Sequence, residues 1–193
     1  TPALKRAGML DQQKAQALSQ LAAERELARC DDYSVLRQTW KSLSGRQRKE
    51  KALVLAYAHR AAALGHHDHA GRLLGELLDQ GLDGEVLATY RISDETNRAR
   101  RIVDCEQRIQ RDPEHPELLE TLGLLYLDDR QYEKAQRLLE QALKKRASAE
   151  IYTALGRLMD RQGDTEASAR YYRNALQFQS KKGQRLLDKP SQS

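Results

Sequence analysis

Between Pro116 and Gln179 the chain writes one pattern twice. Leu119, Leu122, Gly123, Tyr126, Ala135, Leu139 and Ala142 are each followed, 33 positions later, by Tyr152, Leu155, Gly156, Met159, Ser168, Tyr172 and Ala175. Paired residues agree in size class even where identity changes. The first four of each set read large, large, small, large along one segment, and the last three read small, large, small along the next. A small residue such as Gly123 or Gly156 lets two antiparallel helices approach closely. Ala135 and Ala142 do the same from the facing helix, and the bulky positions fill the gap that remains.

A period of about 34 residues with this size pattern identifies a tetratricopeptide helix pair. One pair cannot bury its apolar face alone, so pairs stack into a superhelix with a concave surface. The expected fold class is all-α, a tetratricopeptide-type superhelix of stacked antiparallel helix pairs, whose usual work is to grip another protein. Residues 114–147 and 148–180 are the two clear repeats. Pro116 opens the first of them, at a position where its missing N–H costs nothing. Ser148 caps the second, and Gly163-Asp164 forms its internal turn. Residues 50–82 read as a looser copy, with Val54, Tyr57, Ala58 and Ala61 at the repeat positions, Gly65 ending the helix, and Ala70, Leu74 and Leu77 facing it.

Residues 83–113 read as a degenerate pair. A short segment from Glu85 to Ile92 is followed by a longer helix that Ser93-Asp94 caps and whose stripe is Ala99, Ile102, Val103 and Ile109. Asp112-Pro113 ends it, because proline disfavours helical geometry in the residue before it. Residues 1–49 read as an N-terminal helix pair packing on the array. Ala15, Leu18, Leu21, Ala22 and Ala28 form the first stripe; Val35, Leu36, Trp40 and Leu43 form the second, after a cap at Asp31-Asp32. Trp40 is expected to pack on the first repeat. Residues 181–193 read as a polar tail that extends the last helix briefly.

Lys and Arg total 33 against 28 Asp and Glu, a net charge of +5. Basic residues are interleaved with acids rather than gathered on one face with aromatic platforms, so nucleic acid is not an expected partner. The densest cluster, Gly45 to Lys51, reads as a solvated basic loop, or one drawn to an anionic membrane surface by about 1 kcal/mol per nearby Lys or Arg. No run approaches the roughly 18 apolar residues that cross a bilayer, and no signal-peptide pattern opens the chain. The chain begins Thr1-Pro2 without Met, so it is expected to be a piece of something longer. Cys30 and Cys105 lack C-x-x-C spacing. Two distant, unpaired cysteines favour a reducing compartment, hence the cytoplasm, and Cys105 reads as a small hydrophobe.

The chain contains no phosphate loop, dinucleotide glycine motif, G-x-S-x-G elbow or H-E-x-x-H. Paired carboxylates such as Asp128-Asp129 and Glu117 with Glu120 fall on helix ends and faces expected to be exposed. The reading is a non-enzyme with no catalytic residue, metal or cofactor. His66-His67-Asp68-His69 is the metal-like feature, its imidazoles suited to zinc or haem iron. It falls where the turn of a helix pair belongs, so Asp68 or His67 reads as a cap. The expected partner groove is lined by the first helix of each pair: Leu55, His59 and Ala62, then Glu120, Leu124 and Leu127, then Thr153, Arg157 and Arg161. Apolar at one end and charged at the other, it suits an amphipathic helix or an extended segment, unless the N-terminal helices cover the apolar end. Tetratricopeptide domains that clamp a C-terminal carboxylate use lysines and asparagines on these faces; Glu120, Leu124 and Thr153 depart from that pattern.

Taken in order, several features resemble the C-terminal region of the proteobacterial HemY family. They are the helix ending near Cys30, Leu36-Arg37-Gln38-Thr39-Trp40-Lys41-Ser42-Leu43 with the basic loop after it, the Ala-rich helix to Gly65, the degenerate middle pair and the two good repeats. The likeness runs from Gln16 to Gln179, and the Trp-Lys-Ser-Leu segment is its most distinctive element. The resemblance implies two N-terminal membrane helices outside this chain, a location at the bacterial inner membrane, and an association with late haem and porphyrin biosynthesis. It brings no catalytic residues to carry over. A flavin-dependent porphyrinogen oxidase shares the family's name, but its nucleotide motifs are missing here. The implied role is a scaffold whose partners are other proteins, haem-pathway enzymes among them. Two other readings stay open: an adaptor for another envelope process, and a direct porphyrin-binding module with His59 or the His66–His69 turn as ligand.

Overall fold

The computed structural model describes residues 2–187, with side chains described for residues 11–181. Among them are ten α-helices and no strand: α1 Pro2–Arg29, α2 Tyr33–Ser42, α3 Lys51–Ala63, α4 His67–Gln80, α5 Gly84–Tyr90, α6 Glu95–Arg111, α7 Pro116–Asp128, α8 Tyr132–Lys145, α9 Ala149–Gln162 and α10 Thr165–Leu187. A single 3-10 turn, Gln47–Lys49, precedes α3. The chain forms two compact units, Thr1–Asn97 and Arg98–Ser193.

The helix starts follow from short-range hydrogen bonding. Asp32 accepts from the Ser34 and Val35 amides at 2.7 and 3.3 Å, and Asp83 accepts from those of Glu85 and Val86 at 3.0 and 3.1 Å. Asp94 accepts from the Asn97 amide at 2.9 Å, and Ser148 from that of Ile151 at 3.0 Å. Each side chain satisfies an N–H that has no partner within its own helix. Pro116 is the first residue of α7, and α6 stops at Arg111, just before Asp112-Pro113. The histidine turn departs from expectation. His66 occupies the cap position of α4 without a side-chain bond to the helix end, so neither Asp68 nor His67 is the cap. His66 instead lies flat on Tyr33, with ring centroids 3.7 Å apart.

In the first unit α3 is central, packing against α1, α2, α4 and α5. It buries Leu53, Val54, Leu55, Tyr57, Ala58 and Ala61. Trp40 is 4% exposed, with its ring centroid 4.7 Å from that of Tyr57, the packing role expected of it. The stripe on α1 is rotated from the one read in the sequence. Ala23, Leu27 and Cys30 are buried, while Leu18 is 68% exposed and Ala15, Leu21, Ala22 and Ala28 are also exposed. Apolar residues lie on more than one side of this helix, and the position of α3 selects among them. On α2, Leu36, Trp40 and Leu43 are buried and Val35 is not. Lys51, read as part of a solvated loop, pairs with Asp83 at 2.8 Å and Glu85 at 3.0 Å.

The second unit stacks α7 on α8, α8 on α9 and α9 on α10. A Cβ added to Gly123 would lie 2.8 Å from Leu139 Cγ, and one added to Gly156 would lie 2.7 Å from Tyr172 Cε1. The glycines therefore sit where the helices touch, as the repeat pattern requires. Every residue from Leu118 to Tyr126 is buried. On α6 the buried residues are Asn97, Arg101, Ile102 and Cys105, whereas Ala99 and Val103 of the expected stripe are exposed. Tyr126 donates its hydroxyl to Glu106, and Arg98 donates to the Asp128 carbonyl at 3.0 Å. These polar ties fix the rotation of a helix whose apolar residues alone do not.

Candidate functional site

The first helices of the pairs, α3, α7 and α9, carry the residues expected to line a partner groove, and the structure sorts them by accessibility. Leu55 on α3 and Leu124 on α7 are buried. Glu120 is 8% exposed, and its two oxygens accept from Arg146 Nη2 at 2.7 Å and Ser148 Oγ at 2.6 Å. Arg146 also reaches Glu117 through Nε at 3.3 Å. Burial pushes the Glu120 carboxyl above its usual range, while Ser148 and Arg146 pull it back. This carboxylate ties α7 to the link between α8 and α9. It is not on an exposed face, where the sequence reading put it. Ser148 has both roles at once, donating to Glu120 and accepting from the Ile151 amide.

The accessible remainder is smaller. In the first unit His59 is exposed, its Nε2 3.3 Å from Thr89 Oγ1, and Ala62 is half-buried. In the second unit Leu127 and Thr153 are half-buried, and Arg157 and Arg161 are exposed. Thr153 donates its hydroxyl back to the Ala149 carbonyl at 2.8 Å. Thr153, Arg157 and Arg161 recur every fourth residue, so they form one line along α9. The Arg161 guanidinium lies 4.1 Å from the centroid of the Tyr132 ring on α8. Tyr132 was not singled out in the sequence. Its equivalent in the next repeat is Thr165, so no periodic signal marks it.

The remaining chemistry-bearing groups are engaged elsewhere. His69 Nδ1 is 2.7 Å from the Tyr57 hydroxyl, and burial holds this imidazole below its usual pKa, with Arg72 and Arg37 acting in the same direction. Among the described residues no three His, Cys, Asp or Glu side chains group closely enough to hold a metal ion. Cys105 is buried, which pushes its thiol up to about 12, far from the thiolate a nucleophile needs. Among the described residues no helix is long and apolar enough to cross a membrane.

Comparison with known proteins agrees with the repeat reading. The family model for the tetratricopeptide repeat matches residues 116–144 and 149–182. These cover α7 with nearly all of α8, and then α9 with most of α10. The two helix pairs are tetratricopeptide repeats, and the fold class is all-α. Solved structures similar to the chain include MamA MSR-1 C2, at 12% identity, with 86% of this chain and 99% of that one covered and a TM-score of 0.48. MamA AMB-1 C2221 is 13% identical, with 84% and 98% covered and a TM-score of 0.45. No curated protein sequence matches. Repeats of this kind bind other proteins through the surfaces that stacked helix pairs present.

Proposed function

We propose that the chain is a non-catalytic interaction scaffold whose partner surface runs along Thr153, Arg157 and Arg161 of α9, together with Leu127 of α7, and that the partner presents carboxylates there. The observation that carries this is the seating of Arg161. The Tyr132 ring holds the guanidinium from one side, a contact worth about 0.5–1 kcal/mol at an exposed site. Its N–H fork is thereby pre-set for a carboxylate. Arg157, one turn earlier, supplies a second positive charge.

The finer reading rests on the HemY resemblance and on the free state of Cys30 and Cys105. The domain stands on the cytoplasmic side of a bacterial inner membrane, tethered by a segment outside this chain, and gathers enzymes of late haem biosynthesis. Holding two such enzymes on one scaffold raises their effective concentration, which favours transfer of a poorly soluble intermediate. In-cell crosslinking followed by purification, with the wild type beside Arg157→Glu/Arg161→Glu, tests both levels. The double reversal is expected to reduce capture of the authentic partner by about tenfold or more. Undiminished capture would overturn the α9 surface, and a partner set without any haem-pathway enzyme would overturn the pathway.

A further inference from the structure

In the first unit a cleft of about 400 Å³ lies between α1 and the segment around the Gln47–Lys49 turn. Its lining includes Gln12, Gln16 and Gln20 from α1, with Arg46, Gln47 and Glu50 opposite them. The volume falls within the range of about 300–1,000 Å³ that ligand sites occupy. Glu50 is half-buried, and its Oε2 is shut off from solvent with no hydrogen-bond donor. The Glu50 side chain does not cap α3 either, although it stands at that helix's first position. A buried carboxylate oxygen without a donor bears the full desolvation cost of its charge. A cationic donor offered to Glu50 from the cleft would relieve that cost.

The rest of the lining specifies what carries that donor. Gln12, Gln16 and Gln20 recur every fourth residue, so their carboxamides stand in one line along α1, about 6 Å apart. Peptide groups on one side of an extended chain recur about every 6.7 Å. A carboxamide offers both an acceptor and N–H donors, the complement of a peptide group. Gln20 donates to Glu24 at 2.9 Å and Gln47 accepts from the Ser44 amide at 3.0 Å, which leaves the Gln20 oxygen and the Gln47 nitrogen to a ligand. Arg46 donates to Gln16 Oε1 at 3.5 Å, a weak bond that leaves most of its fork available. Arg46 and Glu50 bracket the 3-10 turn, about 8 Å apart along it. Side chains two residues apart leave an extended strand on the same face at a similar spacing. We infer that this cleft binds an extended peptide segment of another protein in which a lysine and an acidic residue stand two apart. The lysine ammonium pairs with Glu50, the acid with Arg46, and the main chain lies against Gln12, Gln16 and Gln20. The site belongs wholly to the first unit and shares no residue with the Arg157–Arg161 line, so each is tested by its own variants.

The probe is the peptide acetyl-Ala-Lys-Ala-Glu-Ala-amide, titrated into the isotope-labelled whole chain and followed by NMR. It is expected to shift the Gly45 and Glu50 backbone amides and the Gln12 side-chain amide. Twins with norleucine for lysine, or glutamine for glutamate, are each expected to bind about tenfold more weakly. Free lysine has both charges but no peptide main chain, and the same loss of about tenfold is expected for it. Glu50→Gln and Arg46→Gln are each expected to weaken the parent peptide by about tenfold, while Arg157→Glu leaves it unchanged. Arg46 is exposed and the Glu50 side chain caps no helix, so unaltered far-UV circular dichroism spectra are expected for both variants. Indifference to norleucine or to Glu50→Gln would overturn the inference, as would unshifted signals at millimolar peptide. Free lysine binding as tightly as the peptide would overturn it by making the ligand a small zwitterion. Loss of binding through Arg157→Glu would do so by moving the peptide to α9.

Discussion

Gly123 and Gly156 occupy equivalent places, yet an added methyl group meets different neighbours at each. At Gly123 it would press on Leu139 Cγ at 2.8 Å and on the Leu139 backbone nitrogen at 3.3 Å. Leu139 is fully buried, so the helices themselves must part. At Gly156 the atoms in the way belong to the Tyr172 ring, which is half-buried and whose hydroxyl donates to Asp160 at 2.7 Å. That ring can swing outward. Replacing a mid-helix glycine with alanine gains about 1 kcal/mol of helix propensity, against an overpacking cost of about 1–3 kcal/mol where the core cannot yield. Gly123→Ala is therefore expected to be destabilising and Gly156→Ala close to neutral, as read by urea denaturation. A stabilised Gly123→Ala would mean that α7 and α8 do not touch there. The glycines were legible in the sequence because a repeat displays its close contact twice; the difference between them was not, because it depends on which atom faces each one.

Three helix pairs close through one turn geometry. His66 donates to the Ala61 carbonyl at 2.8 Å, Gln131 to that of Tyr126 at 2.8 Å, and Asp164 to that of Met159 at 3.0 Å. Each bond spans a residue in the left-handed region: Gly65 at φ +76°, Arg130 at +61° and Gly163 at +78°. This is the Schellman closure, in which glycine is favoured because it has no Cβ to clash. Arg130 bears that clash, which costs about 1–2 kcal/mol for an L-residue. Arg130→Gly is expected to stabilise the second unit by about 0.5–1 kcal/mol, once the added freedom of the unfolded chain is set against the relieved strain. Differential scanning calorimetry would show the melting temperature rising; a fall would refute this account of the turn. At the same scale, caps were readable because a side chain and the amide it satisfies lie two or three residues apart. The stripes of α1 and α6 were not, because helices with apolar residues on several sides take their rotation from what packs against them.

Across the whole molecule, acidity acts through groups of known sign. Asp32 is held below the usual carboxylate range by the Ser34 hydroxyl and the amides at the start of α2. Lys51 does the same for Asp83, Lys145 for Glu114, and the hydroxyls of Ser168 and Tyr172 for Asp160. The stability these groups contribute is complete above the ordinary range and is lost as pH falls below about 4 through their lowered values. His69, held neutral by burial, loses its contribution as pH falls below about 6.5. Glu120 has the opposite sign: its contribution is complete at low pH and is lost as pH rises through its raised value. The melting temperature is thus expected to decline below about pH 6 and more steeply below about 4. Asp83→Asn, which keeps a cap acceptor but cannot titrate, is expected to blunt only the lower part. A melting temperature unchanged from neutral pH to about 3 would contradict these assignments.

Local rules were sufficient for the paired helices, the caps at Asp32, Asp94 and Ser148, and the two tetratricopeptide repeats. Size alternation at a fixed period, and a capping oxygen near its amide, are properties of neighbouring residues. Which candidate groove residues stay reachable was a tertiary matter. Glu120 looks like any helix carboxylate until Arg146 and Ser148 close over it, and Arg161 looks like any surface cation until Tyr132 is found beneath it. Burial depends on which segments meet, and contacts between distant parts of a chain leave no periodic trace along it.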